Sequence, residues 1–139
     1  MQEVSFFVPG VPVPQGSKNA YIRGGRAVMV EANKGHKAWR AHVQEVAETR
    51  AGAFDKDTPV HLEAVFVFQR PKSVKPANRP HMSVKPDLSK LIRSVEDSIT
   101  KAGVWGDDAR VVHVGAVKRY SDETGLAPGA HITIREVTE

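Results

Sequence analysis

The 139-residue chain contains no cysteine, which excludes disulfides, thiolate zinc sites and cysteine nucleophiles. No apolar run approaches the ~18 residues that a membrane-spanning helix needs. The opening MQEVSFFVPG lacks the basic start and long apolar core of a secretory leader, so a cytoplasmic protein with no membrane partner is expected. The six histidines show no close ligand pairing such as H-E-x-x-H, which argues against zinc chemistry. Gln15-Gly16-Ser17-Lys18 lacks the G-x-x-x-x-G-K-[ST] spacing of a phosphate-binding P-loop, although Lys18 remains a candidate phosphate contact. Aromatics make up only 6%, and Trp39 and Trp105 read as core anchors more readily than as platforms for bases.

One further absence is local. From Arg70 to Pro86 there is no acid, while five Lys/Arg and four Pro are present. The chain carries a formal net charge of +4, and this stretch concentrates the excess. Such a segment is either a solvated, proline-rich surface loop or a grip for phosphates through Arg70, Lys72, Lys75, Arg79 and Lys85, with Lys90 following. It has no periodicity, and long structureless connections are usually functional or disordered.

With 40% hydrophobic and 26% charged residues, the chain has ordinary globular composition. One domain over residues 1–139 is expected, burying roughly two-thirds of its unfolded surface. Val4 to Val8 is a short β-rich run, followed by a proline-rich segment suited to a loop or sheet edge. Ala20–Arg23 and Arg26–Val30 flank Gly24-Gly25, a tight-hairpin signal. Helical spacing of Trp39, Val43, Val46 and Ala47 predicts a helix from Lys34 to about Arg50, with Asn33 as its N-cap. Val60–Phe68, VHLEAVFVF, reads as a central strand.

A second helix opens at Asp87 and ends at Gly103. Leu88, Leu91, Ile92, Val95, Ile99 and Ala102 lie on its apolar face, and Lys90, Arg93, Ser94, Asp97 and Lys101 on its polar one. Arg110–Tyr120 and Ala130–Arg135 are the last strands. The order β-ββ-α-β-α-β-β predicts an α/β two-layer domain in which two helices pack on one small mixed sheet.

The chemistry-bearing residues cluster around the second helix. Asp87 is either an N-cap beside the positive helix end or a metal ligand held there. Asp107 and Asp108 form either a polar turn or an acidic pair that needs a cation. Acids at the two ends of such a helix stand roughly 24 Å apart along its axis, unless the following turn runs back along a strand edge. Clustered carboxylates beside a cationic segment suit a nuclease, in which carboxylates hold Mg²⁺ against a phosphate gripped by cations.

The block Asp87-Leu88-Ser89-Lys90-Leu91, followed by Gly103-Val104-Trp105-Gly106-Asp107-Asp108-Ala109-Arg110-Val111, resembles the RusA family of Holliday-junction resolvases. Residues 9–18, PGVPVPQGSK, and Lys37-Ala38-Trp39-Arg40 are similar to its phage and actinobacterial branch. The resemblance covers most of the chain, and its specific part is the block from Asp87 to Val112. It implies a RusA-like fold, a homodimer, and Mg²⁺-dependent cleavage of four-way or branched DNA, with Mn²⁺ as an alternative ion. It also implies that Asp87 and Asp108 are catalytic metal ligands and that Asp107 supports them. Arg93 stands where the family has a catalytically important lysine. As an arginine it would act as an electrostatic clamp and not as a proton donor; its other reading is an exposed cation paired with Asp97.

Ser89 departs from the pattern, standing where most members have a second Asp. Its hydroxyl could join the metal directly or through water, since Mg²⁺ often uses only one or two carboxylates. Glu96 lies roughly 10 Å further along the helix axis, which argues against its replacing that carboxylate. Two other readings stay open: a junction-binding protein with impaired catalysis, and a structural interaction module with a solvated basic loop.

Overall fold

The computed structural model describes residues 2–15, 18–23, 26–31 and 35–138, the segments 18–23 and 26–31 by backbone only. The run VHLEAVFVF forms β4 (Val60–Phe68), buried except at Glu63 and Val65. So buried a strand suits the interior of a sheet, and both hydrogen-bonding edges of β4 are paired. It pairs antiparallel with β6 (Gly129–Glu136) and parallel with β5 (Val111–Tyr120). Strand β1 (Glu3–Pro9) adds antiparallel to β6, giving the order β1-β6-β4-β5.

The mixed sheet and two-layer α/β class are as the residue pattern predicts. The hairpin is a correction to the single-sheet expectation. Strands β2 (Lys18–Arg23) and β3 (Arg26–Glu31) pair only with each other, as a separate two-stranded ribbon. Their Gly24-Gly25 turn lies outside the described residues, as does the side chain of Lys18.

Helix α1 (His36–Arg50) buries Trp39, Val43 and Ala47. It starts two residues later than expected, with Gly35 at φ 84° as its N-cap; Asn33 lies outside the described residues. Helix α2 (Leu88–Lys101) buries Leu91, Val95 and Ile99 on the expected face. Ser94 and Ser98 are buried too, at 0% and 1% exposure, which corrects the placement of Ser94 on the polar face. Small side chains admit a close neighbour, and α1 packs against α2. The Ser98 hydroxyl satisfies itself on the Ser94 carbonyl at 2.8 Å.

Helix α2 is the crossover between parallel strands β4 and β5, so it runs opposite to both. Strand β5 therefore starts where α2 ends and finishes where α2 begins. The turn between them is fixed by packing. Trp105 is 2% exposed, and Gly106 lies so close to Lys56 that a Cβ would stand 2.5 Å from the Lys56 carbonyl oxygen. Arg110 clamps the same carbonyl through Nε at 2.7 Å. A short helix, α3 (Ser121–Thr124), follows β5 and was not anticipated. No helix among the described residues is long and apolar enough to cross a membrane.

Candidate active site

The head of α2 opens onto a cleft of about 550 Å³, lined among others by Val11, Val13, Phe68, Arg79, Tyr120, Lys85, Asp87 and Lys90. Its walls come from the 11–14 segment, the end of β4 with the residues just after it, the stretch from Arg79 into α2, and Tyr120 at the end of β5. The Val11–Gln15 segment is held to α2 by a hydrogen bond from the Gln15 N–H to the Lys90 carbonyl, 3.1 Å. The segment leading into α2 is anchored by Lys118 on β5, whose ammonium donates to the carbonyls of Val84 at 2.7 Å and Pro86 at 2.9 Å.

Asp87 is the N-cap residue of α2, yet its carboxylate makes no capping hydrogen bond. The side chain is 57% exposed, and among the described residues its ion-pair partner is the Lys90 ammonium, at 4.0 Å. A carboxylate standing at a helix N-terminus without capping it is available to a ligand. Ser89 and Lys85 are exposed beside it, with Lys90 half-buried.

The tail of α2 holds the other acids. The Trp105 indole N–H donates to Thr100 Oγ1 at 2.7 Å, and the Thr100 hydroxyl donates in turn to Asp108 Oδ1. This relay fixes one oxygen of Asp108, which opens the 3₁₀ turn Asp108–Arg110. Glu96, one turn back from Thr100, is drawn into the same neighbourhood. Burial pushes its carboxyl above the usual range, and the charges of Asp108 and Asp97 push it further, against the opposing pull of Arg93. A cation beside Asp108 would offset part of the charge that acts on Glu96. Asp107 is exposed beside the turn, and its carboxylate accepts no capping hydrogen bond. Arg93 is exposed on α2, and its charge acts on Glu96.

One chain does not bring Asp87 and Asp108 together. The residues between them include the whole of α2, 14 residues long, which at 1.5 Å per residue separates its ends by ~21 Å. Strand β5 runs back toward Asp87, but it does so beyond Asp108 and carries that residue no closer. Among the described residues, no three acids or histidines converge on one point. Glu96 was set aside as too far from Ser89; the charges that act on it are those of Asp108, Asp97 and Arg93. The sequence held a signal for this, since Glu96 and Thr100 stand four apart on the helix face that leads to the Trp-Gly-Asp-Asp turn. Lys118 was missed as well, a charged residue at an inward position of β5.

The basic loop divides into two classes. Arg70 has a side chain only 8% exposed. It donates to both oxygens of Asp122, at 2.7 and 3.0 Å, and to the Arg79 carbonyl, and it lies 4.1 Å over the Tyr120 ring. Those contacts occupy its donors, so the expected phosphate role does not fit Arg70, whose work is to fold the loop onto β5 and α3. Arg79 is half-buried, with Nε donating to Tyr120 Oη at 2.8 Å, and it still lines the cleft. Lys72, Lys75 and Lys85 are exposed.

Carboxylate and hydroxyl oxygens are hard donors of the kind Mg²⁺ takes. The uncapped Asp87 and the crowded Asp108–Glu96 pair fit such an ion by chemistry, although a single chain divides them between two places. Over 147 aligned positions, covering 99% of both chains, the sequence is 28% identical to a Bacillus subtilis (strain 168) protein described as uncharacterized protein YqaN. Residues 9–135 match the family described as Endodeoxyribonuclease RusA, a span that holds both ends of α2, the whole of β4 and β5 and all of β6 but its last residue, and that begins at the last residue of β1. The family is one of nucleases that cut DNA internally, and this chain belongs to it.

Proposed function

We propose that the protein is a divalent-metal-dependent endonuclease that resolves four-way DNA junctions, with Mg²⁺ as its ion, in the cytoplasm of a bacterium or phage-infected host. The observation that carries this reading is the head of α2. There an exposed carboxylate that caps nothing faces a cleft lined by Arg79, Lys85 and Lys90. Nothing structural requires an acid to be left free among cations.

Asp87 and Asp108 would hold the ion, with the Ser89 hydroxyl beside Asp87 and Asp107 supporting from the turn. When bound, it supplies Lewis acidity and an activated water for phosphodiester hydrolysis. The chain's own groups do the rest. Arg93 stabilises charge on the phosphate undergoing substitution. Lys72, Lys75, Arg79, Lys85 and Lys90, with Lys18 from β2, grip the backbone without reading sequence. A homodimer matches a four-way junction because two equivalent centres can nick opposed strands.

Ser89 favours a second reading, a junction-binding protein with impaired catalysis. Labelled four-way and linear duplex DNA, incubated with and without Mg²⁺, separates the two. Junction-selective, Mg²⁺-dependent nicks are expected. Salt-sensitive junction binding with no nicks would establish the impaired binder, and no DNA binding would remove both.

A further inference from the structure

We propose that the apolar cleft at the head of α2 receives a nucleobase taken out of its stack at the branch point, with the adjoining phosphate resting on Lys85 and Lys90. This rests on the nuclease reading above and adds a physical reason for a junction to be preferred over linear duplex.

The cleft is more apolar than a phosphate grip requires. Surface cations suffice to hold a DNA backbone, and Arg79, Lys85 and Lys90 already supply them. The same cleft encloses about 550 Å³, within the ~300–1,000 Å³ of sites that take small organic ligands. Phe68, Met82 and Tyr120 line it while being only 8%, 7% and 1% exposed, so they are a floor set into the core. Val11 and Val84 carry the apolar surface outward, at 70% and 39% exposed. Pro12, Pro14, Pro71 and Pro86 complete the lining. A proline has no N–H to offer a phosphate or an ordered water, and its fixed φ keeps the wall stiff. Such a surface suits the flat face of a base better than a charged backbone.

The walls are fastened on every side. The Tyr120 hydroxyl accepts from Arg79 Nε at 2.8 Å, and the Arg70 guanidinium lies 4.1 Å over the Tyr120 ring. Lys118 holds the carbonyls of Val84 and Pro86. The opposite wall is tied to α2 by the Gln15 N–H on the Lys90 carbonyl. A cleft anchored to a strand and a helix is preformed, which lowers the entropic cost of filling it.

Charge and apolarity together identify the occupant. Cations and apolar side chains line one cleft, and they match the two halves of a nucleotide, phosphate and base. Extruding a base costs unstacking and unpairing energy, and the cost is least where stacking is already interrupted. A branch point offers such a base, and continuous duplex does not. The cations hold either kind of DNA; the cleft is filled only by the branched kind.

Four-way junctions carrying 2-aminopurine, in turn, at each nucleotide flanking the crossover test this with the intact chain. Divalent metal is omitted, so binding is read without cleavage. At one of these positions fluorescence should rise severalfold on binding and resist quenching by acrylamide, because the base leaves its stack and is enclosed. A linear duplex with the same label should show neither change. Val11→Gln with Val84→Gln alters only exposed side chains, and a thermal melt checks that folding is retained. The double variant should lose the acrylamide protection and about tenfold in junction affinity, the scale of one buried valine, with linear-duplex affinity unchanged. No rise at any position, a rise that acrylamide quenches freely, or an equal loss of affinity for junction and duplex would overturn the base site. Mg²⁺-dependent nicking by the wild type beside any of those results would leave the nuclease reading intact. Protected fluorescence in a protein that never nicks would keep the base site and remove the catalysis.

Discussion

The two ends of α2 carry the same kind of group in opposite settings. At the head, Asp87 is exposed, uncapped and surrounded by cations. At the tail, Asp108 is tied by the Thr100 hydroxyl and crowded by a half-buried Glu96 whose carboxyl is pushed above its usual range. The head has positive charge enough to attract a phosphate. The tail has negative charge enough to attract a cation. Phosphodiester hydrolysis by a metal nuclease draws on both kinds of group.

The strongest way to break this comparison is to remove one acid from each end. Asp87→Asn and Asp108→Asn should each abolish junction cleavage while leaving junction binding near wild type or tighter, because an acid without its metal repels phosphate. Gel-shift and nicking assays on the same preparations check it. Full activity in either variant would leave that end outside the reaction.

The next effect is expected at Arg93, which stands between the two ends. Arg93→Ala should slow single-turnover cleavage of bound junction about 10²–10³-fold, the usual range for losing one preorganised charge at a transition state. Its affinity for junction should change little. A large loss of affinity with an unchanged rate would make Arg93 a backbone contact.

The basic loop sharpens the comparison, since its cations are not equivalent. Lys72→Gln with Lys75→Gln should lower the slope of log affinity against log salt by roughly 0.9 per lost phosphate contact, with folding unaffected. The Arg70–Asp122 pair should show the reverse. Its hydrogen bond holds the Asp122 carboxyl below the usual carboxylate range. A lowered folded-state value contributes stability above the unfolded value and loses it as pH falls through the folded one. Asp122→Asn should therefore lower Tm at pH 7, and the difference should vanish as pH drops below the carboxylate range. Thermal melts across that range measure it. A gap independent of pH would assign the loss to packing alone.

The smallest expected effect is at Ser89. Ser89→Asp should lower the Mg²⁺ concentration for half-maximal cleavage with the fold intact, because it adds a carboxylate beside Asp87. An unchanged requirement would put Ser89 outside the metal's reach.

Much of the fold was legible from pattern. The central place of β4 followed from an apolar run too long for a half-exposed strand, and the span of α2 from six apolar residues at helical spacing. The separate hairpin ribbon was not legible, because a turn signal fixes local pairing and says nothing about which sheet receives it. Ser94 was misplaced because periodicity ranks serine as polar, whereas helix packing selects it for size. The site was legible in composition but not in space. Acids and cations were readable as residue types. That Arg70 is spent on Asp122, or that Glu96 answers to Asp108 and not to Ser89, depends on how the chain returns on itself. The distance along α2 was readable at the outset, and the possibility that the turn would close it within one chain was not realised.

The central claim is that the acids at the two ends of α2 serve one ion. Mn²⁺ titration followed by electron paramagnetic resonance tests it most directly, on the wild type, Asp87→Asn and Asp108→Asn. The account predicts that both substitutions remove the same tight site, leaving only weak binding in either variant. Tight binding that survives one substitution unchanged would contradict it, showing that the two ends of the helix hold their ligands separately.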